Sequence, residues 1–386
     1  VPTHFADLDL LPSLQLTLAQ QGLTTLTEIQ ARALPELLQR RSVAGIAETG
    51  SGKTLTYVLP VLDRLKRLEE AGNAVDQEGE PRAIVMVPTR ELGEQVAKVF
   101  KGFTHDTRLR VRAVLGGQKV KQNRESVAGA FEVLVCTPGR LERLLASKQI
   151  SLGAVRFLVL DEADQMLDLG FLPTVLEVLQ ACPSQRQLGL FSATLAEELR
   201  GLVRRFFADT DLIETSGAHQ IVPTLRTRHV PVPDGRRFDA LRLLLQEPNQ
   251  GGTLLFANTH SQCDNLRDLL TEAGFQAEVL RGDMEPVERR RNLMDFRAGT
   301  LPLLVATDMS ARGLDIEHVE RVINVHLPRE LDNYLHRVGR TARAGRSGLV
   351  INLVTPRDAP FLALLNDGST APEFIAPPGA RVRSTR

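Results

Sequence analysis

Residues 47–54 read Ala47-Glu48-Thr49-Gly50-Ser51-Gly52-Lys53-Thr54, set between an apolar patch and an amphipathic stretch. Gly50 and Gly52 let backbone N–H groups close around phosphate oxygens, and a helix starting here favours the same negative charge. Lys53 is suited to the β- and γ-phosphates of a nucleotide, and Thr54 to Mg2+ through its hydroxyl. The strict form of this loop opens with glycine; here Ala47 stands in that place. A second element lies where such a fold needs it. Asp161-Glu162-Ala163-Asp164 directly follows the apolar run 157–160. Ligand groups in open α/β sheets sit at the C-terminal ends of strands, so Asp161 and Glu162 should emerge beside the phosphates. Asp161 suits the metal shell, and Glu162 can orient and deprotonate an attacking water. Clustered acids usually mark a solvated face, but acids do not usually terminate a buried strand.

Outward from this pair, short apolar runs alternate with stretches of helical spacing. The runs at 84–87, 133–135, 157–160 and 188–191, then 254–256, 303–305 and 322–325, have strand length. Helix-like segments at 91–100, 197–207, 262–272 and 287–296 lie between them. Strands buried on both faces and separated by helices predict an α/β class with mostly parallel sheets flanked by helices. Around 216–235 the pattern pauses at Pro223, Pro231 and Pro233. The expected organisation is a first domain over 1–217, a linker at 218–224, a second domain over 225–371 and a disordered tail at 372–386. Residues 69–82 read as a surface loop, and no internal repeat stands out.

Composition narrows the class. With 386 residues, 42% hydrophobic and 24% charged, the chain has room for two globular domains. No run of about 18 apolar residues predicts a membrane span, and the start lacks the basic-then-apolar pattern of a secretory signal. Cys136, Cys182 and Cys263 lie far apart, which argues against structural zinc or a disulfide framework and for a reducing, cytoplasmic setting. A net charge of zero argues against a polyanion binder that works by bulk charge. Of the 47 basic residues forty are Arg, whose planar fork suits phosphate, although a GC-rich genome gives the same bias.

The loop and the DEAD tetrapeptide together resemble the DEAD-box family of ATP-dependent RNA helicases, from about Phe5 to about Gly348. The resemblance implies two RecA-like domains, ATP and Mg2+ as ligands, and single-stranded or short duplex RNA as a partner, bound by a monomer with little sequence preference. Pro88-Thr89-Arg90, Gly116-Gly117 and Thr137-Pro138-Gly139-Arg140 look like the family's RNA-backbone motifs. Their hydroxyls, amides and guanidinium forks, placed after buried strands, can hold phosphate oxygens without reading bases. Ser192-Ala193-Thr194 resembles the motif that couples hydrolysis to RNA binding. In the second half Gly282 and Asp283, then Thr307, resemble RNA contacts, while Gly313 and Asp315 resemble nucleotide contacts. The segment 336–346 resembles the last motif, implying His336, Arg340 and Arg343 as catalytic. Arg340 and Arg343 are three apart and on a helix would share one face, ready to supply charge at a γ-phosphate from another domain.

Some positions depart from the family. The adenine-recognition segment, within 5–30, has Leu23 for an aromatic and Leu26 for proline. It keeps Gln30, whose amide can serve both edges of adenine, and Phe5 stands where an upstream aromatic stacks on the base. Arg281 replaces His, Pro286 replaces Gln and Ala342 replaces Gly. Two rivals stay open at this point: an ATP-gated RNA clamp with incidental turnover, and a DNA translocase on the same architecture.

Overall fold

Among the described residues, fourteen strands fall into two seven-stranded sheets, every neighbouring pair within them parallel. The computed structural model describes residues 1–48, 50–116, 127–207, 210, 212–215, 225–233, 235–311, 318–341, 348–366 and 373–374. The chain divides into a first unit, Val1–His219, and a second, Gln220–Arg386.

In the first unit the strands are β1 (Val43–Ile46), β2 (Ala83–Met86), β3 (Val111–Val114), β4 (Val133–Cys136), β5 (Phe157–Asp161), β6 (Gln187–Ser192) and β7 (Leu212–Glu214), ordered β3-β4-β2-β5-β6-β1-β7. Successive side chains of a strand point to opposite faces, and the core divides accordingly. Val85, Val133, Val135 and Val159 pack on one face with helices Pro12–Gln20, Glu28–Leu38, Lys53–Glu70 and Arg90–Thr107. Ile84, Leu134, Leu158 and Leu160 pack on the other with helices Pro138–Ala146, Leu172–Ala181 and Glu197–Phe206. Each such side chain, fully buried, contributes roughly 1.5–3 kcal/mol. That two-sided burial is why the central strands read as unbroken apolar runs.

The second unit comprises β8 (Leu225–Pro231), β9 (Gly252–Phe256), β10 (Ala277–Leu280), β11 (Leu303–Ala306), β12 (Val319–Asn324), β13 (Gly348–Val354) and β14 (Glu373–Phe374). Their order is β10-β11-β9-β12-β13-β8-β14, the order of the first sheet repeated strand for strand. The sequence showed no repeat, yet the topology is duplicated. Of residues 69–82, read as a loop, Glu69 and Glu70 instead end helix Lys53–Glu70, and 71–82 carry no helix or strand. One expectation needs correcting: within 372–386, read as disordered, Glu373–Phe374 pairs with β8 at Arg228 and His229. The proposed linker, 218–224, lies outside the described residues.

Candidate functional site

Parallel register sets the site. Ile46 pairs with Ser192 and Phe191 with Asp161, so β1, β6 and β5 end side by side. Their ends deliver the 47–54 loop, Ser192-Ala193-Thr194 and Asp161-Glu162-Ala163-Asp164. On the other side of β5 comes β2, through the pair Leu160–Met86, and then β4 and β3. Those three ends deliver Pro88-Thr89-Arg90, Thr137-Pro138-Gly139-Arg140 and Gly116. One row of strand ends thus carries phosphate-loop and acidic residues in one half and the expected nucleic-acid residues in the other.

The loop is shaped by its glycines. Gly50 and Gly52 have φ of +86° and +91°, and Gly52 caps helix Lys53–Glu70 from the left-handed region, where side-chain-bearing residues are disfavoured. A Cβ on Gly52 would stand 2.4 Å from Gln30 Nε2, which instead donates to the Gly52 carbonyl at 3.1 Å. Gln30 Oε1 accepts from Thr27 N at 2.9 Å, so this amide caps its own helix and braces the loop. Lys53, 7% exposed, donates from Nζ to the carbonyls of Ala47 and Glu48, the latter at 2.9 Å. Its ammonium therefore sits among the loop's own oxygens, the kind of partner a phosphate offers. Burial raises the Glu48 carboxyl, and Lys53 partly offsets this. Ser51 Oγ donates to the Glu48 carbonyl at 2.7 Å.

Asp161 is buried, accepting from Tyr57 Oη at 2.6 Å on one oxygen and from Glu162 N at 3.0 Å on the other. Burial, then the Glu162 charge, pushes its carboxyl up to about 6. Glu162 has φ +50°, a left-handed residue between strand and helix. Asp164 bonds the neighbouring motif: its Oδ2 accepts from Thr194 N and Thr194 Oγ1, both at 3.0 Å, while its N donates to Ser192 Oγ at 3.2 Å. No group of three or more His, Cys, Asp or Glu side chains among the described residues could hold a metal. Mg2+ suits a sparser site, since it keeps waters and takes substrate phosphates alongside one or two carboxylates. The hard oxygens of Thr54 and Asp161 fit that pattern.

In the other half, Arg90 donates to the Gly116 carbonyl at 3.2 Å and to Glu94 at 2.9 Å. The Arg140 guanidinium is pushed below its usual range by burial, then by Arg143 and Arg90, which places three cations together. Thr89 caps helix Arg90–Thr107, its hydroxyl accepting from Leu92 N at 3.3 Å, and Thr137 precedes helix Pro138–Ala146.

The second unit gathers its residues around Arg337, whose side chain is 1% exposed. Its guanidinium donates to Asp308, to Asn258 Oδ1 at 2.8 Å, to Asn324 Oδ1 at 3.0 Å and to the His326 carbonyl at 2.6 Å, and it lies 4.9 Å from the Phe256 ring centroid. The C-terminal ends of β9, β11 and β12 are thereby tied to helix Leu331–Val338, which carries His336. Thr307 Oγ1 and Ser310 Oγ are 3.1 Å apart. Asp283 is half-exposed beside Arg281 and His260, at 3.2 and 3.5 Å, and Gly282 is exposed.

Two sequence families match this chain: DEAD/DEAH box helicase over residues 27–202 and helicase conserved C-terminal domain over 236–345. RNA helicase CrhR of Synechocystis is 36% identical over 359 residues, 93% of this chain and 71% of CrhR. The DEAD-box ATP-dependent RNA helicase RhpA of Helicobacter pylori is 35% identical over 353 residues, 91% of this chain and 70% of RhpA. The chain belongs to the DEAD-box family of ATP-dependent RNA helicases. Dbp5 of S. cerevisiae, solved bound to RNA and ADP BeF3, matches with TM-score 0.87 at 28% identity, covering 98% of this chain and 96% of Dbp5. The two sheets are accordingly those of RecA-like domains in an ATP-binding enzyme.

For this helicase, two expectations change. Arg340 does not lie on a helix: helix Leu331–Val338 stops at Gly339, and Arg340 Nε donates back to the His336 carbonyl at 3.0 Å. Phe5 is 2% exposed within the first unit's core, so its ring has no open face to offer a base. Thr49, Gly117, Gly313, Asp315 and Arg343 lie outside the described residues, as does Ala342. Sequence reading missed Tyr57, Asn258 and Arg337. A signal existed for each: Tyr57 is one helical turn from Lys53, Asn258-Thr259 follow β9 as Pro88-Thr89 follow β2, and Arg337 adjoins His336.

Proposed function

We propose that this DEAD-box helicase grips one strand of RNA with both units while ATP is bound, and that bending the strand opens short duplexes or remodels ribonucleoproteins. Hydrolysis to ADP and phosphate then releases the RNA. What supports this reading is the division of one row of strand ends, with the phosphate loop and acids at β1, β6 and β5 and the cation-bearing turns at β2, β4 and β3. The hydrogen bonds between Asp164 and Thr194 give the acidic turn and the Ser192-Ala193-Thr194 turn a shared response.

In this mechanism Lys53 exchanges the carbonyls of Ala47 and Glu48 for the β- and γ-phosphates. Glu162 orients the attacking water and accepts its proton. Thr54 and, partly through water, Asp161 would hold Mg2+, which would neutralise phosphate charge. Closure of the units brings Arg340 and Arg343 to the γ-phosphate, with His336, Gly313 and Asp315 alongside. Thr89, Arg90, Gly116, Gly117, Thr137, Gly139 and Arg140 hold the RNA backbone from the first unit, and Gly282, Asp283 and Thr307 from the second. Contacts to 2′-hydroxyls favour RNA over DNA.

The test is steady-state ATPase with RNA and DNA panels beside displacement of a labelled strand from a short duplex. RNA-stimulated turnover with ATP-dependent displacement is expected. Stimulation by DNA alone would overturn the choice of polymer, and long RNA dwell without displacement would overturn unwinding in favour of clamping.

A further inference from the structure

Lys53, Thr54 and Tyr57 occupy one turn of helix Lys53–Glu70, and spacings of three and four residues share a helical face. The Tyr57 ring is fully buried, with centroids 5.4 Å from Phe191 on β6 and 6.5 Å from Phe100. Those two rings fix where its hydroxyl can go, and it ends 2.6 Å from Asp161 Oδ2. The other oxygen, Oδ1, is held at 3.0 Å by the backbone N–H of Glu162. Both carboxylate oxygens therefore have a donor, and the plane of the group is set. An ionised carboxylate has about four acceptor sites, so each oxygen retains capacity for a further partner.

Phenylalanine would fill this ring site without burying a hydroxyl, whose burial is unfavourable unless it is bonded. The hydroxyl reaches Asp161 at a length typical of a charge-assisted O–H···O contact, and it is also hydrogen-bonded with the Thr54 side chain. We infer that Tyr57 is a positioning residue for hydrolysis: its phenol holds the Asp161 carboxylate in the orientation that presents its remaining lone pairs toward nucleotide-associated Mg2+. This rests on the reading of Asp161 as the metal-side acid. Outer donors of this kind typically contribute 10- to 100-fold to metal affinity or activity.

The experiment measures ADP affinity of the full chain with Mg2+ and with EDTA, and takes the ratio of the two dissociation constants. Tyr57→Phe keeps the ring packing and removes only the hydroxyl. It should lower the Mg2+-dependent gain at least about fivefold, while ADP affinity in EDTA stays within about twofold of wild type. Asp161→Asn should remove most of the gain, and the double variant should lose no more than Asp161→Asn alone. An unchanged gain in Tyr57→Phe, with loss in Asp161→Asn, overturns the positioning role and leaves the metal assignment standing. An unchanged gain in Asp161→Asn overturns the metal assignment itself. Equal weakening with and without Mg2+ in Tyr57→Phe would mark a merely structural residue and also overturn the inference.

Discussion

Replacing Arg337 with leucine should loosen the second unit while sparing the first. The substitution deletes a guanidinium that is 1% exposed and makes five hydrogen bonds, two of them to Asp308. Removing one partner of a buried ion pair is destabilising by about 3–5 kcal/mol, because the other charge stays behind. Asp308 keeps 22% of its side-chain surface open, so water recovers part of that loss. Against this, Asn258, Asn324 and the His326 carbonyl lose a donor, each worth about 1 kcal/mol or more when buried. These effects share one group and do not add, so about 3–5 kcal/mol is the expectation for the whole. Native-state hydrogen exchange on the full chain reads it region by region. The slowest amides of β9, β11 and β12 should exchange roughly 10²- to 4 × 10³-fold faster, at a factor of ten per ~1.4 kcal/mol. Amides of β1, β5 and β6 should hold their rates. Adding Asp308→Asn should recover part of the loss, since the stranded carboxylate disappears. An increase below about tenfold, or an equal increase in both units, would refute the view that Arg337 ties the strand ends together.

Four other outcomes are expected. Lys53→Ala should abolish hydrolysis, and retention of more than about a tenth of turnover, a loss under ~1.4 kcal/mol, would overturn the phosphate-site assignment. Glu162→Gln should bind ATP yet release labelled single-stranded RNA slowly when ATP and Mg2+ are present; equal release with and without ATP would count against the coupling. Gly52→Ala combines φ +91° with a Cβ 2.4 Å from Gln30 Nε2, so weaker ATP binding and a thermal midpoint below wild type are expected, and unchanged values of both would show that the loop relaxes. Arg343→Ala should lower RNA-saturated turnover at least ~100-fold with ADP affinity in the absence of RNA nearly unchanged; loss of binding with normal turnover per bound complex would remove its role at the γ-phosphate.

What could be read from the chain follows the physics of burial. The central strands β2, β4, β5 and β6, with β9, β11 and β12, are covered on both faces and stand out as apolar runs. Strands nearer the edges do not: β3 alternates Arg112 with apolar neighbours, β10 carries Glu278 and β8 carries Arg226 and Arg228. Loops with local signatures, the glycines of 47–54 and the acids after β5, were legible because their chemistry depends on adjacent residues. Partnerships across the fold were not. Tyr57 reaches an acid 104 positions away, and Asn258 meets Arg337 over 79. The helix expected under Arg340 ends at Val338, two residues short of it.

The repeated strand order explains why the two units carry different chemistry on one plan. In the first, the strand between β6 and β7 feeds the glycine loop, whose amides can surround phosphate. In the second, the equivalent strand β8 ends at Pro231, and Pro233 follows two residues later. Proline has no N–H to donate, so this end is poor material for an amide cradle, whatever the shape of its turn. The same comparison runs the other way at the fifth strand. β5 ends in Asp161, whereas β12 ends in Asn324, a neutral amide that accepts from Arg337 and pairs in register with Asn352. Where the first unit places negative charge near its phosphate loop, the second places a buried arginine and the amides that hold it. One sheet plan thus yields an acidic, phosphate-ready row of strand ends in one unit and, in the other, a row of strand ends tied around a buried arginine.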